Sequence, residues 1–163
     1  MIVEDVSGRS IAELWSLAGR RAVITGGGRG IGRAIAARFA EAGASIVIGD
    51  IDGELGRGAA ADLAARHGGA VHSAAVDVSD SGSMIAFADR AEALLGGIDI
   101  WVNNAGIYPS APVLELDHAE WDRVMAVNVR GCFVGSQTAA RRMTQRGGVI
   151  VNIASTGCVK AAP

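Results

Sequence analysis

Five glycines crowd into the stretch Thr25-Gly26-Gly27-Gly28-Arg29-Gly30-Ile31-Gly32, directly after the β-branched run Ala22-Val23-Ile24. An alanine-rich pattern runs on from Arg33 to Ala42, so the glycines occupy a turn from a buried strand into a helix. Such a turn needs positive φ or a missing Cβ, and its free N–H groups sit at the positive end of the helix dipole. A pyrophosphate fits there. The order Gly26-x-x-x-Gly30-x-Gly32 is one residue longer in its first gap than the common dinucleotide fingerprint, and it lacks the Lys-Ser/Thr ending of a triphosphate-binding loop. A tight turn with no ligand is the plain alternative. A second chemical group, Asp50, ends the apolar run Ser45-Ile46-Val47-Ile48-Gly49, eighteen residues beyond Gly32. A carboxylate at that spacing accepts hydrogen bonds from an adenosine ribose and repels a 2′-phosphate, which favours NAD(H) over NADP(H). Its alternative role is a helix cap, because Asp52 and Gly53 follow. Arg29 can approach an NADP phosphate, but one flexible cation does not cancel the repulsion from Asp50.

Three further polar residues interrupt apolar runs. Asp77 ends the segment Ala70 to Val76, where it can recognise an adenine amino group or cap the next helix. Asn128 lies between Val127 and Val129, and a buried asparagine must find partners, either local backbone or a water and substrate network. Ser155 follows Val149-Ile150-Val151-Asn152-Ile153-Ala154. His67, His72 and His118 form no motif with it, and surface placement or capping is the expectation for each.

The elements that must carry these groups alternate. Strands are expected over Arg21 to Thr25, Ser45 to Asp50, Ala70 to Val76, Ile98 to Asn103 and Val149 to Ala154. Helices are expected over Ile31 to Ala42, from Leu55 to about His67, and around Met84, Phe87, Ala88, Ala91, Leu94 and Leu95. Ile35 and Phe39 provide a buried face of the first of these, and Gly43 stops it. Ser10-Ile11-Ala12-Glu13 has capping-box spacing, which predicts a short amphipathic helix using Ile11, Leu14 and Leu17, with Trp15 as packing material. Asp117-His118-Ala119-Glu120 repeats that spacing ahead of one long helix ending near Arg146-Gly147-Gly148. The segment Ile107-Tyr108-Pro109-Ser110-Ala111-Pro112 reads as a loop across the ligand-bearing edge, with Tyr108, Pro109 and Ala111 either lining its entrance or packing the loop. Repeated strand-helix alternation predicts an α/β fold of the Rossmann-like, three-layer kind, a parallel sheet with helices on both faces; in a doubly wound sheet of that kind, five strands in the order 3-2-1-4-5 form a core. Residues 1–20 read as an N-terminal extension and 21–163 as a partial NAD(P)-binding domain.

A chain of 163 residues, half of them hydrophobic and a fifth charged, can bury one core and is not disordered. A net charge of −2 provides no broad attraction to nucleic acid or an anionic membrane. Cys132 and Cys158 form neither metal spacing nor a disulfide framework, so a reducing, cytoplasmic setting is expected, with no metal. The N-terminus shows neither a signal peptide nor a spanning segment.

Taken together, Thr25 to Gly32, Asn103-Asn104-Ala105-Gly106, Asn128 and Asn152-Ile153-Ala154-Ser155 resemble the amino-terminal two-thirds of a short-chain dehydrogenase/reductase. The resemblance implies that Gly26, Gly28, Arg29, Gly30, Ile31 and Gly32 surround the cofactor phosphates and that Asp50 holds the adenosine ribose. It implies Asp77 and Val78 near adenine, and Asn103, Asn104, Ala105 and Gly106 in the sheet and cofactor wall. Asn128 would belong to a proton relay and Ser155 would orient the substrate oxygen. The expected activity is NAD-dependent interconversion of a small-molecule alcohol and a carbonyl, with NADP the lesser cofactor and a homo-oligomer in the intact form. The family's Tyr-x-x-x-Lys pair is absent: Tyr108 and Lys160 are the sole tyrosine and lysine. The 163 residues are therefore expected to be catalytically incomplete and the fold incomplete after the fifth strand. A non-catalytic dinucleotide-binding or protein-interaction module is the alternative.

Overall fold

Short β-branched runs separated by alanine-rich helical segments leave one economical arrangement, a parallel sheet with helices packed on both of its faces. The computed structural model describes residues 5–155, and the start of the N-terminal lead, Thr156, Gly157, Cys158 and Lys160 lie outside them. Strands β1 (Arg21–Thr25), β2 (Ser45–Asp50), β3 (Val71–Ala75), β4 (Ile100–Asn103) and β5 (Val149–Asn152) are all parallel, in the order β3-β2-β1-β4-β5. Helices α2 (Gly30–Glu41), α3 (Gly53–His67) and α4 (Ser81–Leu95) alternate with the strands. The expected strand order, both helical layers and the edge position of β5 are borne out.

Alternation along each strand divides the core. Ala22 and Ile24 of β1 with Ile46 and Ile48 of β2 pack under Ala36, Ala40, Ala59 and Leu63 of α2 and α3. Val23 and Val47 face the other way, onto Met84, Phe87, Trp101 and Ala139. Each fully buried Ile or Val contributes about 1.5–3 kcal/mol. The innermost α2 positions are Gly32, Ala36 and Ala40, with Ile35 and Phe39 only half-buried beside them. Small residues let the helix backbone approach the sheet, and the large ones fill its margins. Phe87 meets Trp101 edge-on, with centroids 5.9 Å apart.

Two helical expectations change. The Ser10–Glu13 capping box forms, but α1 (Ile11–Trp15) is only five residues long. Ile11 and Trp15 are 76% and 78% exposed, so Trp15 is not packing material; only Leu17, beyond the helix end, reaches the core. The expected long helix is divided into α5 (His118–Val124), a π-helical turn (Met125–Arg130) and α6 (Gly131–Met143). Asp117 caps α5 by accepting from Ala119 N at 3.1 Å, while Glu120 pairs with Arg123 instead of closing a capping box.

At the opposite end of the sheet from the glycine turn, Arg21 and Asp99 fasten β1 to β4. Arg21 Nε and Nη2 each donate to one Asp99 oxygen at 2.7 Å, Arg21 N donates at 2.9 Å, and Nη1 donates to Gly96 O. The side-chain bonds from Arg21, then its backbone N–H and charge, outweigh burial and hold the Asp99 carboxyl below its ordinary range. A lowered folded-state pKa means stabilisation that is full above the unfolded value, near 3.8, and is lost as pH falls through the folded value. Asp99→Asn is therefore expected to lower the melting temperature at neutral pH, with the difference from the parent starting to shrink only as pH falls below about 4 and vanishing further into acid. Melting curves from acid to neutral pH check this; a constant difference at every pH counts against it.

Candidate functional site

All five strands point the same way, so their C-terminal ends and the loops that follow converge on one edge of the sheet. That edge carries a cleft of about 320 Å³. Gly26, Arg29, Gly30 and Ile31 line it after β1, Asp50 at the end of β2, Asp77 and Val78 after β3, and Asn104, Ala105 and Gly106 after β4. The expected glycine turn and Asp50 thus share one cleft.

The turn is held by backbone economy. Gly26 has φ +64°, and a Cβ on it would lie 2.8 Å from Ala105 Cα. Asn104 Nδ2 donates to Thr25 O and Gly26 O at 2.9 and 3.0 Å, while Thr25 Oγ1 accepts from Asn104 N and Ala105 N. The hydrogen-bond ladder of α2 begins with Arg33 N donating to Arg29 O. The preceding N–H groups of Gly30, Ile31 and Gly32 lie at the helix start, and no side-chain hydrogen bond among the described residues caps it. By contrast, Ser10, Asp52, Asp80 and Asp117 cap α1, α3, α4 and α5 with their side chains. An uncapped helix start with Gly30 and Ile31 on a cleft can receive an anion.

Asp50 is only 8% exposed. Its Oδ2 accepts from Gly28 N at 2.9 Å and its Oδ1 from Asp52 N at 3.1 Å. A carboxylate has capacity for about four such bonds, so acceptor positions remain for a ligand. The cap of α3 is Asp52, which accepts from Glu54 N and Leu55 N, so the capping alternative for Asp50 fails. Asp77 likewise leaves capping of α4 to Asp80 and instead accepts from Ser79 N and Ser79 Oγ.

Several expected members stand elsewhere. Gly28 and Gly32 do not line the cleft; their missing Cβ atoms allow Asp50 to reach Gly28 N and the turn to close on Gly26 O. Pro109 and Ala111 are off its wall, whereas Tyr108 lines it and is 74% exposed. Asn103 is buried within a network: it accepts from Trp101 Nε1 at 2.7 Å and donates to Ser136 Oγ and Asn152 Oδ1. Ser155 is exposed after β5 and does not line the cleft. Asn128 is not the satisfier of its own helix. Its Oδ1 accepts from Ile107 N at 2.9 Å and its Nδ2 donates to Ile107 O at 2.8 Å, gripping the loop after β4. Apolar wall residues Ile51, Val76, Ile107, Val127 and Ile153 escaped the sequence reading. Ile51 directly follows the strand-end residue Asp50, and Ile107 follows Gly106 in the loop after β4, which was a usable signal. The described residues contain no group of three or more His, Cys, Asp or Glu able to hold a metal ion. No helix among them is long and apolar enough to cross a membrane.

Parallel order 3-2-1-4-5, with a glycine turn and an acidic strand end around one C-terminal cleft, defines a Rossmann-like, nucleotide-binding α/β protein. The profile of the short chain dehydrogenase family matches residues 20–163, and the chain belongs to that family. It is 42% identical over 150 residues to a short chain dehydrogenase/reductase of Macrophomina phaseolina, covering 90% of this chain and 86% of that one. A crystal structure of a short-chain type dehydrogenase/reductase from Mycobacterium marinum superposes with a TM-score of 0.90 at 35% identity, over 95% of this chain and 64% of the other. A Burkholderia cenocepacia short chain dehydrogenase in complex with NADP gives 0.84 at 36% identity, over 90% and 60%. The chain spans only 54 to 56% of the length of relatives named as 3beta-hydroxysteroid, sorbitol and D-threitol dehydrogenases.

Proposed function

We propose that these residues form the cofactor-binding part of an oxidoreductase that interconverts a small alcohol and its carbonyl with NAD(H) in preference to NADP(H). The observation that carries this reading is the cleft itself, with the uncapped start of α2 and the Asp50 carboxylate on a shared rim. Gly30 supports the phosphate assignment: it has φ +56° and open space where a Cβ would stand. In this reading the amides of Gly30 and Ile31 hold the phosphates, Asp50 accepts from the adenosine ribose, and Asp77 and Val78 border the adenine. Asn104, Ala105 and Gly106 form the wall toward the reacting end. When bound, the dinucleotide supplies the redox chemistry, exchanging a hydride with the substrate carbon. Asn128 keeps the Ile107 wall in place, which positions the bound partners. Ser155 orients the substrate oxygen by donating or accepting a hydrogen bond. Relatives acting on a steroid alcohol and on polyols support an alcohol or carbonyl substrate, in a cytoplasmic, reducing setting.

Cofactor preference follows from charge. A carboxylate and a 2′-phosphate about 4 Å apart near a protein surface repel by roughly 4 kcal/mol. Asp50→Ala is expected to weaken NAD(H) binding by about 1 to 2 kcal/mol and to narrow discrimination against NADP(H). Because Asp50 also accepts from Gly28 N, Asp50→Asn separates charge from turn support: it keeps an acceptor, and discrimination is expected to fall with less loss of NAD(H) affinity. Calorimetry at matched ionic strength measures both, and equal affinity of the parent chain for the two cofactors rejects Asp50 as the determinant. An interaction module remains the second reading, supported by exposed Val129 and Phe133 on the last helices and by exposed Val149 on the edge strand.

A further inference from the structure

The π-helical turn touches both walls of the cleft. Val127 lines the cleft, and Gly131, four residues on, is buried so closely that a Cβ would lie 2.9 Å from Val78 O. In a turn whose hydrogen bonds span five residues, positions four apart lie nearly above one another, so these two share a face and Asn128 and Arg130 fall on its two flanks. Asn128 grips Ile107 at both N and O, on the wall after β4. On the other flank, Arg130 Nη2 donates to Ser79 O, on the wall after β3. Ser79 in turn holds Asp77, donating to Oδ1 from N at 2.9 Å and from Oγ at 2.6 Å. The two walls have no ladder between them, because β2 and β1 separate β3 from β4 in the sheet. Three strand spacings are about 14 Å. The turn itself is widened, with Gly131 N donating to Ala126 O, five residues back.

We propose that Arg130 is a positioning residue and that the π turn is a strut setting the separation of the two walls, so that releasing Ser79 is felt at Ile107. Arg130 and Asn128 lie on one turn, so the hydrogen bonds to Ser79 and to Ile107 are joined through it. A helical turn is stiff along its backbone hydrogen bonds, and its grips on the two walls constrain one another. The consequence for cofactor affinity rests on the dinucleotide reading of the cleft; the mechanical coupling does not.

Amide hydrogen exchange on the 163-residue chain tests the strut, with Arg130→Ala, Arg130→Lys and Arg146→Ala compared without ligand. Arg130→Ala is expected to speed exchange at Ile107 N, the donor to Asn128, by about threefold to tenfold. Arg130→Lys, which keeps a donor for Ser79 O, restores most of the protection, and Arg146→Ala leaves it unchanged. The reciprocal variant Asn128→Ala is expected to speed exchange at Val78 and Ser79. Amides of Ala22, Val23 and Ile24 report global stability and stay as in the parent. Arg130→Ala affecting Ser79 and leaving Ile107 untouched overturns the strut in favour of two independent contacts. Equal acceleration of Ile107 and the β1 amides also overturns it, as general destabilisation. Titration of the same samples with NADH is a separate readout: failure of the parent chain to bind it rejects the cofactor reading, while the exchange rates still decide the strut.

Discussion

A protein consisting of residues 1–163 is expected to oxidise alcohols and reduce carbonyls at least about a hundredfold more slowly than a longer form carrying a Tyr-x-x-x-Lys pair. A positioned proton donor or acceptor contributes about 10²–10⁴-fold, and no residue among the 163 supplies the paired chemistry. Tyr108 is the only tyrosine, Lys160 the only lysine, and the residue four positions after Tyr108 is Pro112. Ser155 can donate one hydrogen bond, but a neutral hydroxyl lacks the basicity for the proton step. Residual rate would come from holding cofactor and substrate together. The comparison uses a panel of alcohols and carbonyls followed by NADH absorbance under identical conditions. Comparable turnover by both forms overturns the argument. Tyr108→Phe then identifies the surrogate, because Tyr108 lines the cleft; it is otherwise expected to leave the low residual rate unchanged. Inactivity of both forms, with saturable binding of another protein, favours the interaction-module reading.

Gly32→Ala is the substitution expected to damage the glycine turn most. A Cβ there would fall inside contact distance of Gly26 O and 2.5 Å from Asn104 Nδ2. Gly26 O is backbone, and it is held by Asn104 Nδ2, so neither neighbour can swing aside cheaply. Overpacking of this kind costs roughly 1 to 3 kcal/mol. Relief requires the turn to open, which also disturbs the Gly28 bond to Asp50, so cofactor affinity is expected to fall together with stability. Gly58→Ala provides the opposite sign: it lies within α3 with nothing within 4 Å of its Cβ position, and a gain of about 0.5 to 1 kcal/mol is expected. Denaturant melts of the two variants beside the parent check the pair. Equal stability of Gly32→Ala and parent shows that the turn yields more easily than its contacts imply.

Where the sequence reading succeeded, the physical signal was local and repeated. Runs such as Ala22-Val23-Ile24 and Ile46-Val47-Ile48 can be buried on two faces only in a sheet covered by helices. The intervening glycines and caps set the element ends to within about two residues. Parallel strands then force their C-terminal ends onto one edge, which is why the glycine turn, Asp50, Asp77 and Asn104 could be placed around one cleft before any contact was known. The errors arose where a second surface had to be present. Ile11 and Trp15 have helical spacing but stay largely exposed among the described residues, on a helix of only five residues. The segment from His118 to Met143 has continuous helical character, yet its register slips at Met125–Arg130. Spacing along one helix carries no information about loops after other strands, so the grip of Asn128 on Ile107 was not legible in the sequence.

Hydrophobic period, turn chemistry and chain direction are written locally, so the strand-helix alternation, the parallel sheet and the chemical types facing the cleft were legible in the residues. Tertiary structure alone decided that Asp50 also supports the turn through Gly28, that Gly32 is required for packing, and that a π turn reaches both walls. Those roles depend on Gly28 meeting Asp50, Gly32 meeting Asn104, Asn128 meeting Ile107 and Arg130 meeting Ser79, pairs far apart along the chain whose distances only the packed sheet sets.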